Sequence, residues 1–196
     1  MTEIDWTAFL ENGLPLERRK SSVTVGVFDG VHRGHQALIA NIVSYNAEYV
    51  PVVITFREPK ITDSIQSFRQ KAEMLESLGV KILVVIDFTE SFRQMTGVEF
   101  LEILLKHGNI GFFTVGSNFR CGYRLDTGAK EIRTFFNSHN IPVLILLEVM
   151  EDSLPISSSR IRSAVNSGDF RLAEVMLGRP LQAQCVLAEI TENDLK

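Results

Sequence analysis

Val23-Thr24-Val25-Gly26-Val27-Phe28-Asp29-Gly30-Val31-His32-Arg33-Gly34-His35-Gln36 is the stretch on which the fold turns. It opens with a β-rich run of buried-strand type, passes through a tight glycine turn, and enters a helical pattern near Arg33 or Gly34. The two histidines therefore stand where a strand hands over to a helix. There, free backbone N–H groups and the positive end of the helix dipole can receive a phosphate. Gly26, Gly30 and Gly34 let the backbone approach a ligand where a Cβ would intrude. The Gly-Lys-Ser/Thr ending of a Walker loop is missing, and two imidazoles take the place of its lysine. Taken alone, a His-x-x-His pair also fits ordinary core histidines or a zinc site. No third zinc ligand is near in sequence, however, and Cys121 and Cys185 are remote.

Outward from this turn, strand and helix patterns alternate. Ala37, Leu38, Ile39, Ile42 and Val43 form a helical stripe, and Tyr49 to Phe56 is apolar along nearly its whole length, as in a parallel strand covered on both faces. Ser67 and Gln70 have capping-box spacing and open a helix with Phe68, Ala72, Leu75 and Leu78 on one side and Gly79 as its stop. Lys81 to Ile86 reads as a third strand. Thr96 with Glu99 starts another helix, with Phe100, Leu101, Leu104 and Leu105 on its core face. Phe112 to Val115 and Ile141 to Leu147 supply two more strands, separated by a helix around Lys130 to Phe136. The alternation predicts an α/β fold, a doubly wound parallel sheet in a single domain, with its ligand site at the carboxyl ends of the strands. Residues 1–22, with Trp6, Phe9, Leu10 and the charged run Glu17-Arg18-Arg19-Lys20, read as a solvated lead-in.

The composition bounds the partners. The 196 residues are 45% hydrophobic and 22% charged, enough for one domain with a full core. A net charge of −4 offers no general attraction to nucleic acid. No run has signal-peptide or membrane-spanning character, and two cysteines without motif spacing suit a reducing compartment. A cytoplasmic protein without nucleic-acid or membrane partners is expected.

Two more segments at strand or helix ends carry chemistry. Val115-Gly116-Ser117-Asn118-Phe119-Arg120-Cys121-Gly122-Tyr123-Arg124, with glycines, an amide, aromatics and two arginines, follows a strand and reads equally as a nucleotide- or ring-binding loop or an exposed one. Ile156-Ser157-Ser158-Ser159-Arg160-Ile161-Arg162 leads into a helix. Its serines are ordinary N-caps, and Arg162, one turn in, adds a two-pronged anion partner. Phe28 and Phe56 end the first two strands, where core packing is the first expectation.

The three ordered motifs, Gly-Val-Phe-Asp-Gly-Val-His-Arg-Gly-His-Gln, Val-Gly-Ser-Asn-Phe-Arg-Cys-Gly and Ile-Ser-Ser-Ser-Arg-Ile-Arg, together with Leu-Gly-Arg-Pro, resemble the bacterial FAD synthetase family. The resemblance is to its FMN adenylyltransferase domain, of the His-x-Gly-His nucleotidyltransferase superfamily, and runs from about Val23 to Leu181. It implies transfer of AMP from ATP to FMN, giving FAD and pyrophosphate with Mg2+. It also implies that His32, His35 and Arg162 are catalytic and that Gly26, Phe28, Asp29, Gly30, Gly34, Ser157 and Ser158 bind ATP. Phe56, Asn118, Phe119, Arg120 and Cys121 fall on the flavin side; metal ligands are not indicated.

Departures from the family pattern concentrate on that flavin side. Val27 stands where many members have Asn, Arg57-Glu58-Pro59-Lys60 where members have a Pro-His-Pro element, and Cys121 where a stacking Phe is common. The chain ends about fifteen residues after Leu-Gly-Arg-Pro. The Pro-Thr-Ala-Asn element of the riboflavin kinase barrel in longer members does not occur in this sequence, which is either naturally single-domain or a piece of a longer protein, and kinase activity is not expected from it. Residues 1–22, 23–181 and 182–196 are read as lead-in, transferase domain and tail, with Gln182 to Ile190 a candidate orphan strand. A transferase using another phosphorylated acceptor and a non-catalytic nucleotide- or flavin-binding relative remain as alternatives.

Overall fold

The computed structural model describes residues 1–57 and 64–181. In chain order the elements are β1 (Thr2–Asp5), α1 (Trp6–Asn12), β2 (Ser21–Val25), α2 (Arg33–Ser44), β3 (Val50–Arg57), α3 (Phe68–Ser77), β4 (Ile82–Asp87), α4 (Glu90–Gln94) and α5 (Gly97–His107). There follow β5 (Ile110–Gly116), β6 (Arg120–Cys121), β7 (Thr127–Gly128), α6 (Ala129–Ser138), β8 (Val143–Leu146), β9 (Met150–Glu151), β10 (Leu154–Pro155), α7 (Ser158–Asn166) and α8 (Phe170–Leu177). Six strands form a parallel sheet in the order β1-β4-β3-β2-β5-β8. The chain builds outward from β2 to β4 and then crosses back to β5 on the other side of β2. The strand order therefore reverses between β2 and β5, and a doubly wound sheet opens a crevice at their carboxyl ends.

The side chains explain the layers. Along β2, β3, β4 and β5, alternate residues such as Val23, Val52, Val84 and Phe113 pack with Phe9, Phe100, Leu104, Ile132 and Phe136, under α1, α5 and α6. The intervening residues Val53, Leu83, Val85 and Phe112 pack with Ile39, Ile42 and Leu75, under α2 and α3. A satellite cluster of Ile161, Ala164, Ala173, Met176 and Leu177 joins α7 to α8. Both expected capping boxes, Ser67–Gln70 and Thr96–Glu99, are formed. No helix of the described residues is long and apolar enough to cross a membrane.

The first residues are not a solvated lead-in. β1 pairs in parallel with β4, the Asp5 carboxylate accepts from the Ala8 amide at 2.8 Å to cap α1, and Phe9 is fully buried. Thr2-Glu3-Ile4-Asp5 alternates weakly and lies at a sheet edge, so its pairing is set by the open edge of β4 rather than by its own pattern. The candidate strand at 182–190, Cys185 and residues 58–60 after β3 lie outside the described residues.

Candidate active site

At the strand ends a cleft of about 700 Å³ opens over β2, β3, β5 and β8. Its walls include Gly26, Val27, Phe28, His32, Gly34, His35, Phe56, Asn118, Phe119, Arg120, Cys121, Ser157, Ser158 and Ser159. The three sequence motifs thus meet in one cavity, because each follows a strand or enters a helix on the same side of the sheet.

The histidine turn is the most constrained part. Phe28, Gly30 and Val31 have φ of 56°, 78° and 38°, and only glycine adopts such a backbone cheaply. The conformation is held from behind. Arg179 of the Leu-Gly-Arg-Pro segment donates to the Gly30 carbonyl at 2.7 Å and the Val31 carbonyl at 3.3 Å. Gln36 Nε2 donates to the same Val31 carbonyl at 2.9 Å. The sequence motif containing Arg179 thus acts on the turn, an assignment that sequence reasoning did not make.

His32 caps α2, its Nδ1 accepting from the His35 amide at 3.4 Å, so the proton of the neutral ring lies on Nε2. The two imidazoles stack at 3.6 Å and 20°. A Cβ on Gly34 would lie 3.2 Å from the His32 ring, which is why that ring can fold over the first helical turn. Burial, and secondarily the Arg179 guanidinium, lowers the His32 pKa to about 4. Burial first, then His32 and Lys71, holds His35 well below the usual imidazole range. Both are neutral donor–acceptor rings near pH 7. His35 is half-buried as a residue, but its Nδ1 is covered and finds no hydrogen-bond partner among the described residues.

The pH consequence has a definite sign. In the unfolded chain His32 takes up a proton near 6.5, whereas in the fold it resists one down to about 4. Its contribution is complete above pH 6.5 and is lost as pH falls toward 4, a change on the order of 3 kcal/mol for a group this buried. Urea denaturation at pH 7 and pH 4.5 is expected to show the midpoint falling, and falling less in a His32→Asn variant.

Asp29, Gly30 and Arg162 are not on the cleft wall; they back it. Asp29, 6% exposed, accepts from Arg162 Nη1 at 2.7 Å and from the Ile65 amide at 3.0 Å. Its carbonyl accepts from the Ser158 hydroxyl at 2.9 Å, which locks the histidine turn to the start of α7. A Cβ on Gly30 would lie 2.9 Å from Ile65, so Gly30 serves close packing behind the cleft. Arg162 also donates to the Ser159 hydroxyl at 3.3 Å, and Ser157 caps α7 by accepting from the Arg160 amide at 3.2 Å. The serines face the cavity at a helix N-terminus, with Arg162 set just beneath them.

The opposite arm is aromatic. Phe56, Phe88, Phe92 and Phe100 run along it, with ring centres 5.3 Å apart for Phe56 and Phe88, 5.6 Å for Phe88 and Phe92, and 5.9 Å for Phe92 and Phe100. Phe28 is fully buried in the core as expected while also forming part of the cleft wall, and Phe56 is only partly buried there. Asn118 bridges to Glu148 at 2.9 Å, and Arg120 Nε donates to the Leu125 carbonyl at 2.9 Å. Burial, and then Asp126, pushes the Cys121 thiol up to about 12, so it stays protonated. Phe88, Phe92 and Arg93 line the cleft but were not singled out from sequence, although the Phe88–Phe92 spacing of four was a visible helical signal; Arg124, at the end of the Val115–Arg124 segment, lines it too. Among the described residues no group of three or more His, Cys, Asp or Glu side chains is placed to hold a metal ion.

Residues 14–160 match the family described as FAD synthetase. The chain is 30% identical over 177 residues to the Bacillus subtilis bifunctional riboflavin kinase/FMN adenylyltransferase, covering 84% of this chain and 55% of that protein. It is 29% identical over 174 residues to the Listeria monocytogenes FAD synthetase, covering 84% and 71%. A solved Streptococcus pneumoniae structure described as a macrolide-efflux protein superposes with a TM-score of 0.78 at 28% identity, over 92% of this chain and 61% of that one. The chain spans about half the length of the bifunctional relatives it matches.

Proposed function

The chain belongs to the FAD synthetase family, and from that premise we propose that it is an FMN adenylyltransferase. A phosphate oxygen of FMN attacks the α-phosphorus of ATP, the bond from that phosphorus to the β-bridging oxygen breaks, and FAD and pyrophosphate form. The observation that carries this is one cleft with a phosphate-receiving arm, His32, His35 and the serine-capped α7, and an aromatic arm facing it. FMN's phosphate is already an anion near neutral pH, so no base is needed. The barrier is lowered by aligning two anions and dispersing charge on the α-phosphate and the leaving pyrophosphate.

Each part has a role on that basis. The His32 Nε2–H and the His35 ring donate to phosphate oxygens as charge develops. Ser157, Ser158 and the free amides of α7 receive the triphosphate tail, and Arg162 reinforces them. Gly26, Phe28 and Gly34 shape the wall, while Asp29 and Gly30 hold the turn against α7. Phe56, Asn118, Phe119, Arg120 and Cys121 form the flavin side. Mg2+ arrives as the metal complex of ATP, with phosphate oxygens as its main ligands. The transferase unit is assigned to residues 23–181, its sheet edge closed by β1 and α1. Two soluble substrates fit a cytoplasmic setting.

The direct test is incubation with Mg2+, ATP and FMN, with FAD as the expected product. Binding of ATP without FAD formation overturns it. A second acceptor is favoured by one observation: Cys121, not an aromatic residue, lines the flavin side. If a stacking face is missing there, Cys121→Phe is expected to tighten FMN roughly threefold to tenfold, the value of one aromatic pair, and to leave ATP affinity unchanged. Calorimetric titration checks both ligands. A Phe variant that binds FMN no better means that another residue already fills that face or that the acceptor is not a flavin.

A further inference from the structure

We infer that Lys71 is a positioning residue that fixes the two arms of the cleft against each other, an assignment that rests on the two-substrate reaction proposed above. Lys71 lies on α3, outside every motif, and is only 4% exposed. Lysine is rarely buried to this degree unless its Nζ is bonded. Here Nζ donates to the Val27 carbonyl at 3.0 Å and to the Phe56 carbonyl at 3.1 Å. Both accepting residues line the cleft.

Their positions give those bonds meaning. Val27 leads into Phe28, whose left-handed backbone begins the histidine turn; Phe56 begins the aromatic arm. The β2–β3 register ends at Val25 and Ile54, with one further bond from the Gly26 amide to the Ile54 carbonyl at 3.1 Å. Beyond that point the backbones part to form the cleft floor. Across the gap, the Thr55 hydroxyl bonds the Val27 carbonyl at 3.0 Å, and Lys71 bonds the carbonyls of both sides. One side chain thus spans the nucleotide half and the acceptor half. In-line transfer between two bound anions is sensitive to such spacing, and a displacement near 1 Å costs up to about a hundredfold.

The test compares Lys71→Met, which removes the donor, with Lys71→Gln, which retains an amide donor, in the full chain. For Lys71→Met, kcat is expected to fall about tenfold to hundredfold, with KM for ATP and for FMN each changing less than about threefold. For Lys71→Gln, kcat is expected to stay within about threefold of wild type. A Met variant with wild-type kcat, or a loss confined to KM, overturns the assignment. Should the Met variant not fold, a folded Gln variant with a kcat loss as large as that expected for Met overturns it as well. Ring-proton NMR of the stacked His32–His35 pair reads the turn without turnover: the Met variant should displace these signals and the Gln variant preserve them. If wild type itself makes no FAD, the reaction proposed above fails, and unchanged ring signals in the Met variant then overturn the role of Lys71 separately.

Discussion

His32→Ala and His35→Ala are each expected to lower turnover about a hundredfold or more, the scale of removing one preorganised donor from a charge-developing site. The two should differ in stability. His35 stacks on His32 and lies 5.0 Å from the Phe28 ring, so its loss removes packing at a half-buried position. His32 also caps α2, and removing that acceptor adds a cost of about 1 kcal/mol. His32→Asn separates the roles, because the amide can cap the helix but cannot place a donor where Nε2–H stands. It should recover stability without recovering rate. Steady-state kinetics with circular-dichroism melting measures both quantities. Variants that unfold, or that fold and retain wild-type turnover, would return the pair to the role of ordinary core histidines.

Arg162→Ala is the second large effect, and it should appear in two measurements at once. The guanidinium meets a nearly buried Asp29 carboxylate at 2.7 Å, and removing one partner of such a pair leaves the other poorly compensated. Fully buried pairs cost about 3–5 kcal/mol to break; Arg162 is about one-third exposed, so a loss of about 2–3 kcal/mol is expected. That corresponds to a melting temperature lower by roughly 4–12 °C for a chain of this size. ATP affinity should fall about tenfold or more, since charge-assisted bonds are worth about 1.5–3 kcal/mol, while FMN affinity changes less. Arg162→Lys should recover part of each, because an ammonium lacks the planar fork. Equal losses for ATP and FMN would place the arginine elsewhere than on the triphosphate side.

The same pair shows where the sequence is informative and where it is silent. The strand-turn-helix at Val23 to Gln36 was legible because its signals are local: an apolar run, three glycines at the turn, and a helical stripe after His35. The capping boxes, the buried parallel strands and the order of motifs were legible for the same reason, and they determine a doubly wound α/β sheet with its site at the strand ends. The edge strand Thr2–Asp5 was not, since an edge strand with one apolar residue takes its pairing from a neighbour eighty residues away.

Within the site, the sequence identified the residue types but not who holds whom. It gave Asp29 and Arg162 to the ATP side but could not show that they pair with each other across 133 positions. It could not see that Arg179 clamps the Gly30 and Val31 carbonyls or that Lys71 joins Val27 to Phe56. It could not show that burial keeps both imidazoles neutral. Periodicity and capping are written in neighbouring residues and survive in a single chain. Ion pairs, desolvation and the width of a cleft depend on distances between segments remote in sequence, and only the packed fold sets those distances.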